Sequence, residues 1–404
     1  MELIRFKKSA ILIILATAYL TLLLSSSTSY ADTGFPIIAV LHAGNNPEAI
    51  AVDTQTHMVY IAYEFPSFVV GFDPISGKVR WRTAVGERVS DIQVDSTSHY
   101  VYAVSSLFAE KQGVLAVLNG ATGHILFNTP TVFGDDSLAI DTIRHRAYVS
   151  STGSAFIDAF TLTSSSAGKF STESSKLTFG LQPGALGINS RLGRLYVGDE
   201  ISNTITVYEE DTGRTLATIP VADGPGQPLR VDEATGRVYV LCSQGQELDV
   251  VDGYKNSVMA HVPVTPYPEG VAFSTATGRI YVADEGSGEN SSTDSGTTIT
   301  VIDGQSFDVL GTLQVGHAPD GVAVDPLLRR VYISVEDSAA VVEISDAVDL
   351  PLQGAVNFHQ TAAAHHALAL LQEATTITVV IMILTMIGAT LGMLHKRQVK
   401  GNPS

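Results

Sequence analysis

Cysteine is nearly missing: Cys242 stands alone among 404 residues. No intrachain disulfide and no cysteine-built zinc cluster can form, so packing and strand pairing must carry stability. Cys242 itself follows the apolar run Val238-Tyr239-Val240-Leu241 and reads as a small buried hydrophobe. Positive charge is also scarce, 24 Lys and Arg against 41 Asp and Glu for a net charge of -17. A polyanionic surface repels phosphates, which excludes nucleic acid and anionic lipid as natural partners and favours cations or basic ones. There is no nucleophile elbow, phosphate loop, HExxH or paired metal-ligand spacing, and this lowers the expectation of an enzyme. What remains, 45% hydrophobic against 16% charged, is the composition of a folded core.

Two long apolar runs lie at the ends. Residues 1–31 carry Arg5, Lys7 and Lys8, an apolar stretch from Ala10 to Leu24, and small residues before a cut after Ala31, the pattern of a secretory signal. Residues 375–394 are apolar over a length that at ~1.5 Å per residue spans ~30 Å of hydrocarbon, and are expected to form a transmembrane helix. The basic tail 395–404, with Lys396, Arg397 and Lys400, places the C-terminus in the cytoplasm and the body outside the cell membrane. Gly388 and Gly392 give a GxxxG spacing that would permit a homodimer through this helix. Residues 347–374 read as a linker or stalk, including Ala362-Ala363-Ala364.

Between these ends one pattern recurs seven times: an apolar strand ending in Asp or a substitute, a polar turn, then an apolar-Tyr-apolar strand. The tyrosines are Tyr60, Tyr102, Tyr148, Tyr196, Tyr239, Tyr281 and Tyr332, and the strand ends are Asp53, Asp95, Asp141, Asn189, Asp232, Ser274 and Asp325. Two further strand-like runs follow each tyrosine, as in residues 68–85 and 299–315. Four strands per unit predict an all-β, seven-bladed β-propeller over residues 35–346, because stacked blades bury faces that a lone sheet cannot. The seventh unit lacks its outer strand. The segment Ile37-Ile38-Ala39-Val40-Leu41 aligns with the run from Val309 and is expected to supply it, closing the ring.

These repeats resemble the YVTN and NHL propeller families. Pro268-Glu269-Gly270-Val271-Ala272-Phe273 with Gly278-Arg279-Ile280-Tyr281-Val282-Ala283 is nearly a consensus copy. The resemblance implies the fold; its members include surface-layer-like proteins, lactonases, lyases and interaction modules, so it does not select a function.

The strand-ending aspartates are expected to cap their turns. The position just after the recurring proline, with units aligned by the strand-ending residue, holds Glu48, Ser90, Asp136, Gly184, Gln227, Glu269 and Asp320. Its four acids, Glu48, Asp136, Glu269 and Asp320, would ring one mouth of the central channel and could bind Ca²⁺ or Mg²⁺. Arg230 and Gln93 replace the small residues found at their repeat position, and Arg230 would hold an anionic group or an inner carboxylate. His42 and His317 occupy equivalent loop positions as further ligand contacts. Trp81, the sole tryptophan, is expected to pack between blades. Ser/Thr-rich residues 161–175 read as an inserted loop, as do the acidic residues 284–295 with the sequon at Asn290. Taken together the features predict a noncatalytic scaffold that binds a protein or small molecule on one propeller face. A cation-dependent lactonase- or lyase-like enzyme and a surface-layer component are the alternatives.

Overall fold

The computed structural model describes residues 37–346 apart from 43, 65, 135–136, 165–169, 179–182, 227, 266 and 287–294. The signal segment, linker, apolar C-terminal run and GxxxG pair lie outside the described residues, as do Asp136, Gln227 and Asn290. Among the described residues no helix is long and apolar enough to cross a membrane.

Strand β1 (Ile37–Leu41) precedes blade one, made of β2 (Pro47–Val52), β3 (Val59–Tyr63), β4 (Phe68–Asp73) and β5 (Lys78–Ala84). Blade two is β6 (Arg88–Asp95), β7 (Tyr100–Leu107), β8 (Gln112–Asn119) and β9 (Ile125–Thr131). Blade three is β10 (Ser137–Asp141), β11 (Arg146–Ser150), β12 (Phe156–Ser164) and β13 (Phe170–Thr178). Blade four is β14 (Pro183–Asn189), β15 (Arg194–Asp199), β16 (Thr204–Glu209) and β17 (Thr215–Pro220). Blade five is β18 (Arg230–Asp232), β19 (Arg237–Cys242), β20 (Glu247–Asp252) and β21 (Ser257–Pro263). Blade six is β22 (Pro268–Phe273), β23 (Arg279–Gly286), β24 (Ser295–Asp303) and β25 (Val309–Gln314). Blade seven is β26 (Pro319–Asp325), β27 (Arg330–Val335) and β28 (Ala340–Ser345), with β1 as its fourth strand.

The expected closure is present: β1 runs antiparallel to β28, with Leu41 opposite Val341 and Val40 opposite Val342. The first strand of each blade packs on the first strand of the next all the way round, β26 on β2 and β22 on β26 included. Among the described residues there is no single central core. Seven apolar clusters each fill the gap between two neighbouring blades, such as Val331 and Ile333 of blade seven with Ile299 and Val301 of blade six. Burial is therefore cooperative around the ring, because no blade owns a complete apolar layer.

The register tyrosines are buried and reach sideways. Tyr148 donates to Glu210 of blade four at 3.0 Å, and Tyr281 donates to Asp346, which ends blade seven. The strand-ending aspartates cap as expected, each accepting the N–H two residues on: Asp53 from Gln55 (2.9 Å), Asp95 from Thr97 (2.8 Å), Asp141 from Ile143 (2.7 Å), Asp232 from Ala234 (2.9 Å) and Asp325 from Leu327 (3.0 Å). In two of them the second oxygen joins blades, since His99 Nδ1 donates to Asp53 and His57 Nδ1 to Asp325, both at 2.7 Å. Trp81 packs between blades, stacked on Tyr60 at 5.7 Å with Nε1 donating to Gly120 at 2.8 Å.

One expectation is corrected. Residues 161–175 are not an inserted loop; most lie in the paired strands β12 and β13, from Phe156 opposite Thr178 outward. An outermost strand is covered on few sides, so hydroxyl residues are accommodated there, with β-branched threonine favouring extended backbone. The 284–295 segment is likewise shorter as a loop than expected, since β23 continues to Gly286 and β24 begins at Ser295.

Candidate functional site

Four innermost strands begin with proline and then break register: the pairing shifts between Pro47 and Ile50, Pro183 and Leu186, Pro268 and Gly270, and Pro319 and Val322. A bulge leaves its extra residue unpaired and re-aims the side chain, and here the residues inside the shift include Glu48, Glu269 and Asp320. Glycine follows in blades six and seven because the strands crowd there. A Cβ on Gly270 would stand 1.9 Å from the Asp320 carbonyl oxygen, and one on Gly321 would stand 2.5 Å from that of Glu48. Ser334 fixes the same spot, its hydroxyl donating to the Glu48 carbonyl at 2.5 Å while accepting from Gly321 N at 2.7 Å.

Glu48, Glu269 and Asp320 line one cavity of about 570 Å³ at this mouth of the channel. Three carboxylates absent from the sequence expectation join them: Glu64, Glu285 and Glu336. Each lies four residues after a register tyrosine (Tyr60, Tyr281, Tyr332), at the end of the second strand, as does Glu200 after Tyr196. That spacing was the available signal. Six of the seven cavity acids come from adjacent blades six, seven and one, so the mouth carries a one-sided acidic sector. Asp91 of β6 also faces the cavity. Arg88 borders the sector, its Nε 2.6 Å from Glu64 and its terminal nitrogen 3.6 Å from Glu48. Exposed Phe108 and Phe133 meet edge to face at 6.0 Å and flank the same opening.

Burial pushes Glu48 up to about 8, against the partial relief of Arg88 and with added repulsion from Glu64 and Glu336. Burial also lifts Glu269 to about 8, helped by Glu285 and Glu200. Asp320 is held well above the usual carboxylate range by burial and then by the charges of Glu48, Glu269 and Glu285. Glu285 and Glu336 are raised for the same first reason. Glu48 Oε2 is closed off from solvent and has no hydrogen-bond partner among the described residues. A buried, unpaired carboxylate oxygen is costly unless something positive or protic meets it.

Within the described residues, no three carboxylates of this mouth bring donor oxygens within 4.8 Å of one another. The cavity therefore holds separated acids across a wide opening, which suits a ligand larger than one bare ion. Asp136, the fourth predicted acid, is outside the described residues.

Arg230 lies at the waist, lining both this cavity and a second one of about 420 Å³ toward the other face. Burial lowers its pKa and Asp91 opposes that, so an inner carboxylate supplies its counter-charge. Asp91 is oriented by the N–H of Leu138 at 2.9 Å. Gln93 lines the second cavity and donates to the Leu138 carbonyl of blade three. His42 and His317 line neither cavity; His42 Nδ1 donates to the Ala339 carbonyl at 3.1 Å and ties the closing strand to blade seven.

No family profile and no curated protein matches this sequence. Among solved structures the chain is similar to the β-propeller domain of Cps50 (Swd1) from Myceliophteria thermophila, with a TM-score of 0.64 at 9% identity, covering 76% of this chain and 98% of that one. A likeness at that identity shows the fold alone: the chain is a seven-bladed β-propeller.

Proposed function

We propose that this chain is a noncatalytic binding propeller of the YVTN/NHL type, held outside the cytoplasm by its C-terminal helix, whose acidic mouth takes a basic segment of a partner protein. One observation carries the reading: six carboxylates from three neighbouring blades converge on one opening beside a single flanking arginine, Arg88, with Arg230 deeper at the waist. An acidic funnel focuses field lines and raises the local concentration of cationic ligands. Lys and Arg side chains could donate to the carboxylates that line the opening, and the Phe108–Phe133 pair offers an apolar shelf for their stems. The spread of the acids favours such a ligand over a chelated ion.

Titration calorimetry of the full chain in detergent tests this with an arginine-rich peptide, its glutamate-substituted counterpart, and Ca²⁺ or Mg²⁺ alone. The reading expects the basic peptide to bind at or above about pH 8, where the mouth ionises, to weaken with added salt, and under those conditions to lose about tenfold or more on Glu269→Gln with Asp320→Asn. Tight Ca²⁺ or Mg²⁺ binding without peptide binding would favour the lactonase- or lyase-like alternative. Ordered arrays on the native envelope in electron micrographs would favour the surface-layer one.

A further inference from the structure

A second cluster lies far from the channel, on the outer half of blade five. Strands β20 and β21 pair with Asp249 directly opposite His261, and Glu247 two residues earlier on the same face of β20. His261 Nδ1 lies 2.6 Å from Asp249 Oδ1 and 3.2 Å from Glu247 Oε1. The three donor atoms all fall within 4.8 Å of one another, and no other group of three His, Cys, Asp or Glu among the described residues does so.

We propose that Glu247, Asp249 and His261 form a binding site for a borderline divalent transition-metal ion such as Zn²⁺. The Asp249 side chain is fully inaccessible, and its other oxygen accepts the Ala222 N–H at 2.9 Å. That bond comes from the segment leaving blade four and orients Oδ1 toward the imidazole, as second-layer hydrogen bonds orient metal ligands. His261, whose side chain is 58% exposed, and Glu247, at 24%, leave an entry path and room for water to complete the coordination.

Without an ion, two carboxylate oxygens share one ring proton. A cation between them satisfies both acceptors and the nitrogen at once. With bonds of about 2.0–2.1 Å, donors in a tetrahedral site stand roughly 3.3 Å apart. The Glu247–His261 separation already matches, and the exposed imidazole need only turn outward from Asp249. One imidazole with two carboxylates is a nitrogen–oxygen set typical of Zn²⁺, whereas Ca²⁺ and Mg²⁺ take oxygen alone. The ion would pin β20 to β21 and, through Asp249, stiffen the contact with blade four.

Co²⁺ serves as a spectroscopic stand-in for Zn²⁺ on the untagged full chain in detergent. The expected result is one equivalent of Co²⁺ giving a visible ligand-field band that Zn²⁺ displaces. His261→Ala and, separately, Glu247→Gln should each weaken that site by about tenfold or more, while Glu269→Gln in the channel mouth leaves it unchanged. A wild-type chain showing no such band, or one whose Co²⁺ affinity is the same in His261→Ala, overturns the assignment. Both substitutions are at partly exposed positions, and circular dichroism confirms that each variant is folded.

Discussion

A tyrosine hydroxyl buried between blades is an asset only where a partner awaits it. Tyr148 has Glu210 at 3.0 Å, whereas Tyr332 Oη is buried and has no partner among the described residues. The repeat explains the difference. The residue after the third strand is Gly120, Glu210, Gly253, Gly304 and Asp346 in five blades, but Pro74 in blade one, which Tyr332 adjoins across the ring closure. Removing a satisfied hydroxyl strands its acceptor, while removing an orphan relieves a desolvated group. Tyr148→Phe should therefore destabilise the chain by about 1–2 kcal/mol, and Tyr332→Phe should be neutral or stabilising by up to about 1 kcal/mol. Denaturant midpoints at constant m-value read both. Equal losses in the two variants would show that ring packing, not the hydroxyl, sets their worth. The sequence alone exposed the tyrosine register but not this asymmetry, because a hydroxyl's partner lies in the next blade, about a full repeat away in the chain.

Among the elements, β1 bears the largest consequence for its size. Only five residues long, it is exposed along its middle, yet it pairs with β28 at both ends with one irregularity at Ile38, and sends Ile37 and Leu41 against two different inter-blade clusters. His42 adds its bond to Ala339. Without β1 the ring keeps seven inner strands but loses its chain-end closure, and β28 becomes an open edge. Deleting residues 37–42 should cost roughly 3–5 kcal/mol, which at about 2–4 °C per kcal/mol lowers the thermal midpoint by on the order of 10 °C. Differential scanning calorimetry checks it, and an unshifted transition would refute the closure. This element was fully legible beforehand, because an incomplete last unit and a matching spare strand are both local patterns. The 161–175 hairpin was not: polar composition argued for a loop, and pairing with a neighbouring strand overrode it. The candidate site was half legible. Proline-plus-one acids stood out in the repeat alignment, while Glu64, Glu285 and Glu336 did not, since each follows a strand whose own pattern had already been assigned to the core.

At the scale of the whole molecule the acids act together. Glu48 and Glu269 are both pushed up to about 8, above the ordinary glutamate value of about 4.3. The folded state thus holds protons that the unfolded chain has already released. Stability from these groups is fully present below about pH 4 and is lost as pH rises toward 8. Glu210, lifted to about 8 chiefly by burial between blades three and four, adds the same sign away from the mouth. Asp53 and Asp141, raised by burial but lowered further by the sum of their hydrogen bonds, work oppositely, but their contribution changes only at more acid pH. Between pH 5 and 8 the ligand-free chain should therefore lose thermal stability, by about 5 °C if one to two kcal/mol is at stake. Glu48→Gln with Glu269→Gln should reduce that slope, leaving the part due to Glu210, Asp320 and the other buried carboxylates raised in the fold, Asp284 at about 6 among them. A basic ligand reverses the trend, because it binds the ionised mouth: its affinity should climb over the same interval in which the free propeller weakens. Thermal melts at several pH values, with and without an arginine-rich peptide, measure both slopes at once. Parallel slopes with and without peptide would mean that the peptide does not meet these carboxylates, and the acidic mouth would then be only a feature of the scaffold.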